Sequence, residues 1–305
     1  MGGGSWTPTS YVNYATNVGL IDKAGKVTNM AAHEIFRASQ VNQALDPKGL
    51  KVRESRDSVE HPLSHAVILA LDVTGSMGFI SQAMAQKGLP TLMKEIYERK
   101  PVADPQVLFM GIDDIECAGH IQVSQFESDI RIAEQLQQLW LEGGGGGNHY
   151  ESYSMAWLLA AQHTSIDCWE KRKQKGYLFT IGDEEPTREL RRQDLTRVLG
   201  YAPQGKLDAE TLLEEAQKHW NVYHIIVDEG SHARGYKNEV DYAWKQLMGS
   251  NAIHLPNHTK LAEVIVSTIQ AAEGVDHDTI AAGWDSATAS IVKAAIKDVK
   301  RVIEL

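Results

Sequence analysis

The chain has 305 residues, 43% of them hydrophobic and 23% charged, which is the composition of an ordinary globular protein of one or two domains rather than a disordered or fibrous one. Thirty basic against forty acidic side chains leave a formal net charge of −10, which speaks against a surface built to adhere to phosphate backbones and makes nucleic acid an unfavoured partner. Two cysteines, Cys117 and Cys168, are too few for a disulfide framework and too far apart for a short zinc motif, so a cytoplasmic setting is expected.

The first residues lack a basic segment followed by an apolar core, so no secretory signal is expected. Residues 1–62 are polar, with a charged run from Lys51 to Asp57, and are expected to form an arm packed on a core. A short helix is expected between Ala31 and Leu45, where Ile35, Ala38 and Val41 recur at helical spacing before Pro47 and Gly49 break it.

From residue 65 short runs rich in Val and Ile alternate with longer segments of helical period, the pattern of an α/β layer fold. Six strands are expected: His65 to Asp72, Gln106 to Ile112, Ile121 to Phe126, Gly176 to Gly182, Trp220 to Asp228 and Ala252 to Pro256. The most apolar of these, His65 to Asp72, is far shorter than the roughly 20 residues a membrane crossing needs, and no membrane association is expected. Only Asp113 to His120 separates the second strand from the third, too short for a parallel crossover, so that pair should be an antiparallel hairpin. Apolar stripes mark the helices between: Ile132, Ala133, Leu136, Leu139 and Trp140; Leu212, Leu213, Ala216 and Trp220; Leu261, Ala262, Ile265 and Ile269. A last helix is marked by Ile291, Val292, Ala295, Val299 and Val302.

The residues with chemical potential stand at strand ends. The first strand runs out into Asp72-Val-Thr74-Gly-Ser76, one carboxylate and two hydroxyls at alternate positions where a strand turns into a helix. Taken alone this could be an ordinary helix cap. Oxygen donors of this kind also suit a hard cation that keeps several waters. Ligands of open α/β sheets lie beyond the carboxyl ends of the strands, so other loops must converge there if a site exists. Two candidates do: the fourth strand ends in Ile181-Gly-Asp183-Glu184, and five glycines from Gly143 to Gly147 precede Asn148, Glu151 and Ser152. Ordering five glycines is entropically costly, which points to a loop whose backbone must approach something closely. A phosphate cradle is disfavoured, because no Gly-Lys-Ser/Thr is present and the run does not follow a strand.

Asp72-Val-Thr74-Gly-Ser76, then the glycine-rich loop, then Thr180-Ile-Gly-Asp183, resembles the three-part metal-ion-dependent adhesion site of von Willebrand factor A domains, intracellular microbial members included. The resemblance spans about residues 63 to 272. It implies a doubly wound, mostly parallel six-stranded sheet of order 3-2-1-4-5-6 with one antiparallel edge strand and helices on both faces. It divides the chain into an arm (1–62), a von Willebrand A-like domain (63–273) and a helical extension (274–305). It further implies Mg²⁺ (or Mn²⁺) held by Asp72 through water, Thr74, Ser76 and a second-loop residue, with Asp183 as an outer acceptor. The second-loop threonine of the family has no clear counterpart here; Asn148 stands first by position, then Glu151 or Ser152. Glu184, where many members carry glycine, adds negative charge.

The family mostly binds proteins through a partner Asp or Glu that completes the metal shell, which is binding rather than catalysis. Its microbial members often work with AAA+ ATPases or in multi-component assemblies, so an adaptor in a bacterial or phage assembly is the expected role. A metal-dependent phosphoester hydrolase using the same site, and an RNA-binding ribonucleoprotein component, are the alternatives.

Other residues carry weaker signals. Asp113, Asp114 and Glu116, with Cys117 and His120 nearby, could hold a second metal but are expected to form a solvated acidic turn. Asp228 to His232 should be a plain loop at the ligand-binding edge. His163 and Cys168 lack the paired spacing of a zinc site, Ser76 is not in a nucleophile elbow, and the tryptophans are expected mainly in the core.

Overall fold

The computed structural model describes residues 4–117, 119–143 and 148–302; the side chain of Ser76 falls outside that description, as do Gly144 to Gly147. Six strands make the central sheet: β1 (His65–Asp72), β2 (Pro105–Ile112), β3 (Gln122–Val123), β4 (Gly176–Gly182), β5 (Trp220–Val227) and β6 (Ala252–Leu255). Their spatial order is β6-β5-β4-β1-β2-β3, the order 3-2-1-4-5-6 read from the other edge. All pairs are parallel except β2 with β3, where Met110 faces Val123 and Gly111 faces Gln122. The third strand is therefore much shorter than Ile121 to Phe126. Part of its hydrogen bonding goes to the arm, where the Val123 N–H donates to Leu45 O at 2.7 Å.

Every residue of β1 is buried, because helices cover both faces of the sheet. Val67, Leu69 and Leu71 point to one side, against α1 (Leu89–Arg99), α2 (Arg131–Gln137), α6 (Leu261–Ala272) and α7 (Ser286–Ile296). Ala66, Ile68 and Ala70 point to the other, against α3 (Ser154–Gln162), α4 (Ala209–Gln217) and α5 (Lys237–Met248). The period of two along a strand thus divides the apolar interior into two layers. Helix α3 is apolar on all sides and buried from Ser154 to Ala160, as a helix wrapped by neighbours must be.

The arm has little regular structure. Its helix over Pro8–Asn17 is started by Thr7 in a capping box with Ser10, whereas the helix expected between Ala31 and Leu45 is only the single turn Ala32–Ile35. Tyr11, Leu20, Ile35, Phe36 and Leu45 nevertheless join the α1/α6 layer, and the Tyr11 hydroxyl donates to Ala85 O at 3.0 Å. Farther on, Arg53–Ser55 pairs in parallel with Thr164–Ile166, and Asp57 accepts from Arg172 at 2.9 Å and Lys171 at 3.1 Å. At the other end α7 stops at Ile296, short of Val302. The Trp284 indole donates to Ser267 at 3.0 Å and lies under the Arg99 guanidinium. No helix among the described residues is long and apolar enough to cross a membrane.

Candidate functional site

Loops following β1, α2 and β4 meet at the carboxyl edge of the sheet. Asp72 is the last residue of β1, fully buried, and both of its oxygens are engaged. Oδ1 accepts from the Thr74 N–H at 2.9 Å and the Thr74 hydroxyl at 2.6 Å, while Oδ2 accepts from the Tyr153 hydroxyl at 3.1 Å. The residues after it form a short 3₁₀ turn, Gly75–Met77, so Thr74 and Ser76 stand at the start of the helical segment leading to α1.

Asp183 follows β4 directly. Its Oδ2 accepts from the His232 N–H at 2.8 Å, and its Oδ1 is buried with no hydrogen-bond partner among the described residues. The Asp228 to His232 loop is therefore more than a plain exit from β5, since its backbone fixes Asp183. Gly230 allows this approach: a Cβ there would overlap the Asp183 side chain. Gly182 is required for the same reason on the other side, where a Cβ would overlap the Tyr153 hydroxyl.

The second loop is tied to the β4 loop by a parallel bridge of Tyr150–Glu151 with Glu185–Pro186. This seats Glu151 beside Asp72. The Glu151 main-chain oxygen accepts from the Thr187 hydroxyl at 2.8 Å, and its side chain is buried with Oε2 unpartnered among the described residues. Asn148 takes a different partner, donating to Asp114 Oδ2 at 2.7 Å. Ser152 bridges Asp114 Oδ1 at 3.4 Å and the Ile115 N–H at 3.1 Å. Of the three second-loop candidates, Glu151 is the one with a buried oxygen left without a partner among the described residues. Asp114 is thus a buried anchor, and Asp113 is buried beside it. The acidic turn expected to be solvated is instead folded inward, because Asn148, Ser152 and backbone N–H groups supply the donors that burial demands.

The site concentrates negative charge in a dry place. Burial, with Asp183 adding to it, raises the Asp72 carboxyl above the usual range. Burial, then Asp72 and Glu184, raises Glu151 strongly. Glu184 is pushed up to about 8 by burial and by Asp72 and Asp183, and burial raises Asp183. Four carboxyl groups that each resist ionisation, two of them with an unpartnered buried oxygen, form a donor set that a cation would satisfy. All the donors are oxygens, which suits a hard ion such as Mg²⁺ or Mn²⁺.

Tyr153 was not legible as a site residue from the sequence. It is fully buried, and its ring stands edge-on to His224 (4.9 Å) and tilted against Trp244 (5.5 Å). The Trp244 indole in turn donates to Glu184 O at 2.9 Å. The one available signal was its place two residues after Glu151, at the start of α3. His163 is buried, with Nδ1 against Lys51 O and Nε2 against the Tyr201 hydroxyl; Cys168 is buried and Cys117 exposed.

No family model and no curated protein matches the chain. Its fold is similar to several solved structures. The pilus adhesin SpaC from Lactobacillus rhamnosus GG in its open conformation is 10% identical with a TM-score of 0.47, over 72% of this chain and 31% of that one. Proximal thread matrix protein 1 from the mussel byssus, with a zinc-occupied MIDAS motif, is 10% identical with a TM-score of 0.42, over 72% and 48%. A von Willebrand factor type A protein from Catenulispora acidiphila is 14% identical with a TM-score of 0.40, over 68% and 42%. The chain spans less than half the length of each. At such identities and scores the fold rests on the strand order itself.

Proposed function

We propose that this chain is a cation-dependent protein-binding module of the von Willebrand A type. The observation that carries the reading is the convergence of Asp72, Glu151, Asp183 and Glu184 on one sheet edge, with buried oxygens of Glu151 and Asp183 left without a hydrogen-bond partner among the described residues. Mg²⁺ or Mn²⁺ would be held by Asp72, Thr74, Ser76 and Glu151, with Asp183 accepting at one remove and Asn148 supporting the loop through Asp114. When bound, the cation supplies an open position for an anionic oxygen, and a partner's Asp or Glu is the group that fits it.

The chain's own residues make this conditional. Thr74 and Tyr153 hold Asp72 in one orientation, and the His232 N–H does the same for Asp183. Without a cation, the edge offers a partner's carboxylate no counter-charge, and burying that anion among four carboxyl groups in a poorly hydrated place is unfavourable. The function this supports is an adaptor or scaffold. The family resemblance favours a cytoplasmic role beside an AAA+ ATPase or within a bacterial or phage assembly.

The test is calorimetric titration of Mg²⁺ and Mn²⁺ into wild type and Asp72→Asn, followed by binding of an Asp-bearing peptide with cation and with chelator. Cation affinity lost in Asp72→Asn, and peptide binding that needs both the cation and Asp72, is expected. Equal cation and peptide binding by the two proteins would sink the reading. Metal-dependent turnover of a phosphoester, lost in Asp183→Asn, would instead favour a hydrolase.

A further inference from the structure

A second cluster lies on different elements. Asp113 and His120 stand at the two ends of the β2–β3 connection, and Glu142 leads into the glycine run. Each offers one donor atom, and the three donors lie within 4.8 Å of one another. Donors about 2.1 Å from a common ion sit about 3–4 Å apart, so small side-chain rotations bring this set around one centre.

The cluster is built rather than incidental. Asp113 is 6% exposed, and its carboxylate is fixed by the Asp114 N–H at 2.7 Å and the His120 N–H at 3.3 Å. The His120 ring leans on Trp140 with centroids 5.1 Å apart. Trp140 is itself clamped by Gln122, whose amide accepts from its N–H at 2.8 Å and donates to its carbonyl at 2.9 Å. On the half-exposed His120 ring, 43% accessible, Nδ1 is turned inward, has no hydrogen-bond partner among the described residues, and faces Glu142 Oε2 at 3.8 Å. A solvated acidic turn would present no such nitrogen.

We propose that Asp113, His120 and Glu142 form a second cation site, distinct from the Asp72 edge, for a first-row divalent ion of the Zn²⁺ class with its remaining positions open to water. One imidazole nitrogen and two carboxylates suit Zn²⁺, whereas Mg²⁺ prefers an all-oxygen shell. Such an ion cross-links the β2–β3 connection to the root of the glycine run. The inference does not depend on the reading of the Asp72 edge, because no side chain is shared.

The experiment is a calorimetric titration of Zn²⁺ into the full chain in excess Mg²⁺, with the visible spectrum of the Co²⁺ form as a second readout. Wild type, His120→Ala, Glu142→Gln and Asp72→Asn are compared. The His120 and Glu142 side chains are partly exposed, so their variants should fold, which circular dichroism verifies. Wild type and Asp72→Asn are expected to bind alike, and the other two to bind more than about tenfold more weakly, with the visible ligand-field bands of the Co²⁺ form weakened in both. Unchanged binding in both His120→Ala and Glu142→Gln overturns the site. So does a loss confined to Asp72→Asn, which would place the zinc at the sheet edge instead.

Discussion

Tyr153 is the residue on which the sheet-edge site turns. Its hydroxyl is the one side-chain donor to Asp72 Oδ2 among the described residues, and that hydroxyl oxygen in turn accepts from the Glu184 N–H at 3.4 Å. A carboxylate held on both oxygens presents its remaining lone pairs in fixed directions, and such supporting hydrogen bonds are commonly worth about 10–100-fold in metal affinity. Tyr153→Phe keeps the ring packed between His224 and Trp244 and removes only the hydroxyl. The expected result is an unchanged far-ultraviolet spectrum, a loss of about 1 kcal/mol in stability and a Mg²⁺ affinity about tenfold weaker. Calorimetry reads this directly, and an unchanged affinity would reduce Tyr153 to a packing residue.

Among the elements, the small parallel pair of Arg53–Ser55 with Thr164–Ile166 shows how a polar segment is fastened to an apolar core. Asp57, just beyond it, also accepts from the Ser64 N–H at 3.0 Å and hydroxyl at 2.7 Å. Burial alone would raise the Asp57 carboxyl, but the Arg172, Ser64 and Lys171 hydrogen bonds outweigh it and hold the group below the usual carboxylate range. A carboxyl depressed in the folded state stabilises the fold above its unfolded value of 3.8, and that contribution is lost as pH falls below it. Asp57→Asn should therefore cost about 1–2 kcal/mol at neutral pH, with the difference from wild type shrinking toward zero in strong acid. Urea unfolding at pH 7 and in strong acid measures it; a gap that persists in acid would mean that packing, not charge, is what the substitution removes.

At the scale of the whole molecule, the arm completes a layer that the α/β core leaves open. Tyr11, Leu20, Ile35, Phe36 and Leu45 are buried against the α1/α6 side, and Leu45 O takes a hydrogen bond from the edge strand. Deleting residues 1–47 uncovers that layer and leaves the Val123 N–H without its acceptor. Burying a single large apolar side chain stabilises by about 1.5–3 kcal/mol, so losing five such contacts is comparable with the whole net stability of a domain. Thermal unfolding should lose its cooperativity and dye binding to exposed apolar surface should rise. A truncated chain that melts as sharply as wild type would show the arm to be dispensable.

How much of this the sequence determined differs from feature to feature. The alternation of apolar runs and helical stripes was enough to give the six-stranded α/β sheet and the β2–β3 hairpin, because period and connection length are local properties. Asp72, Thr74 and Asp183 could be marked because each stands at the end of an apolar strand, and strand ends of one parallel sheet share an edge. What no local pattern could decide is who faces whom. The loop bridge, not the order of residues, put Glu151 beside Asp72 and sent Asn148 to Asp114, so which second-loop side chain faces Asp72 was decided by tertiary contact. The inward fold of Asp113 and Asp114, Tyr153 beneath Asp72, and the meeting of His120 with Glu142 are of the same kind. Charge and burial cannot be read together from sequence: an acidic run is solvated by default, and only the packing of distant segments supplies the donors that let it be buried.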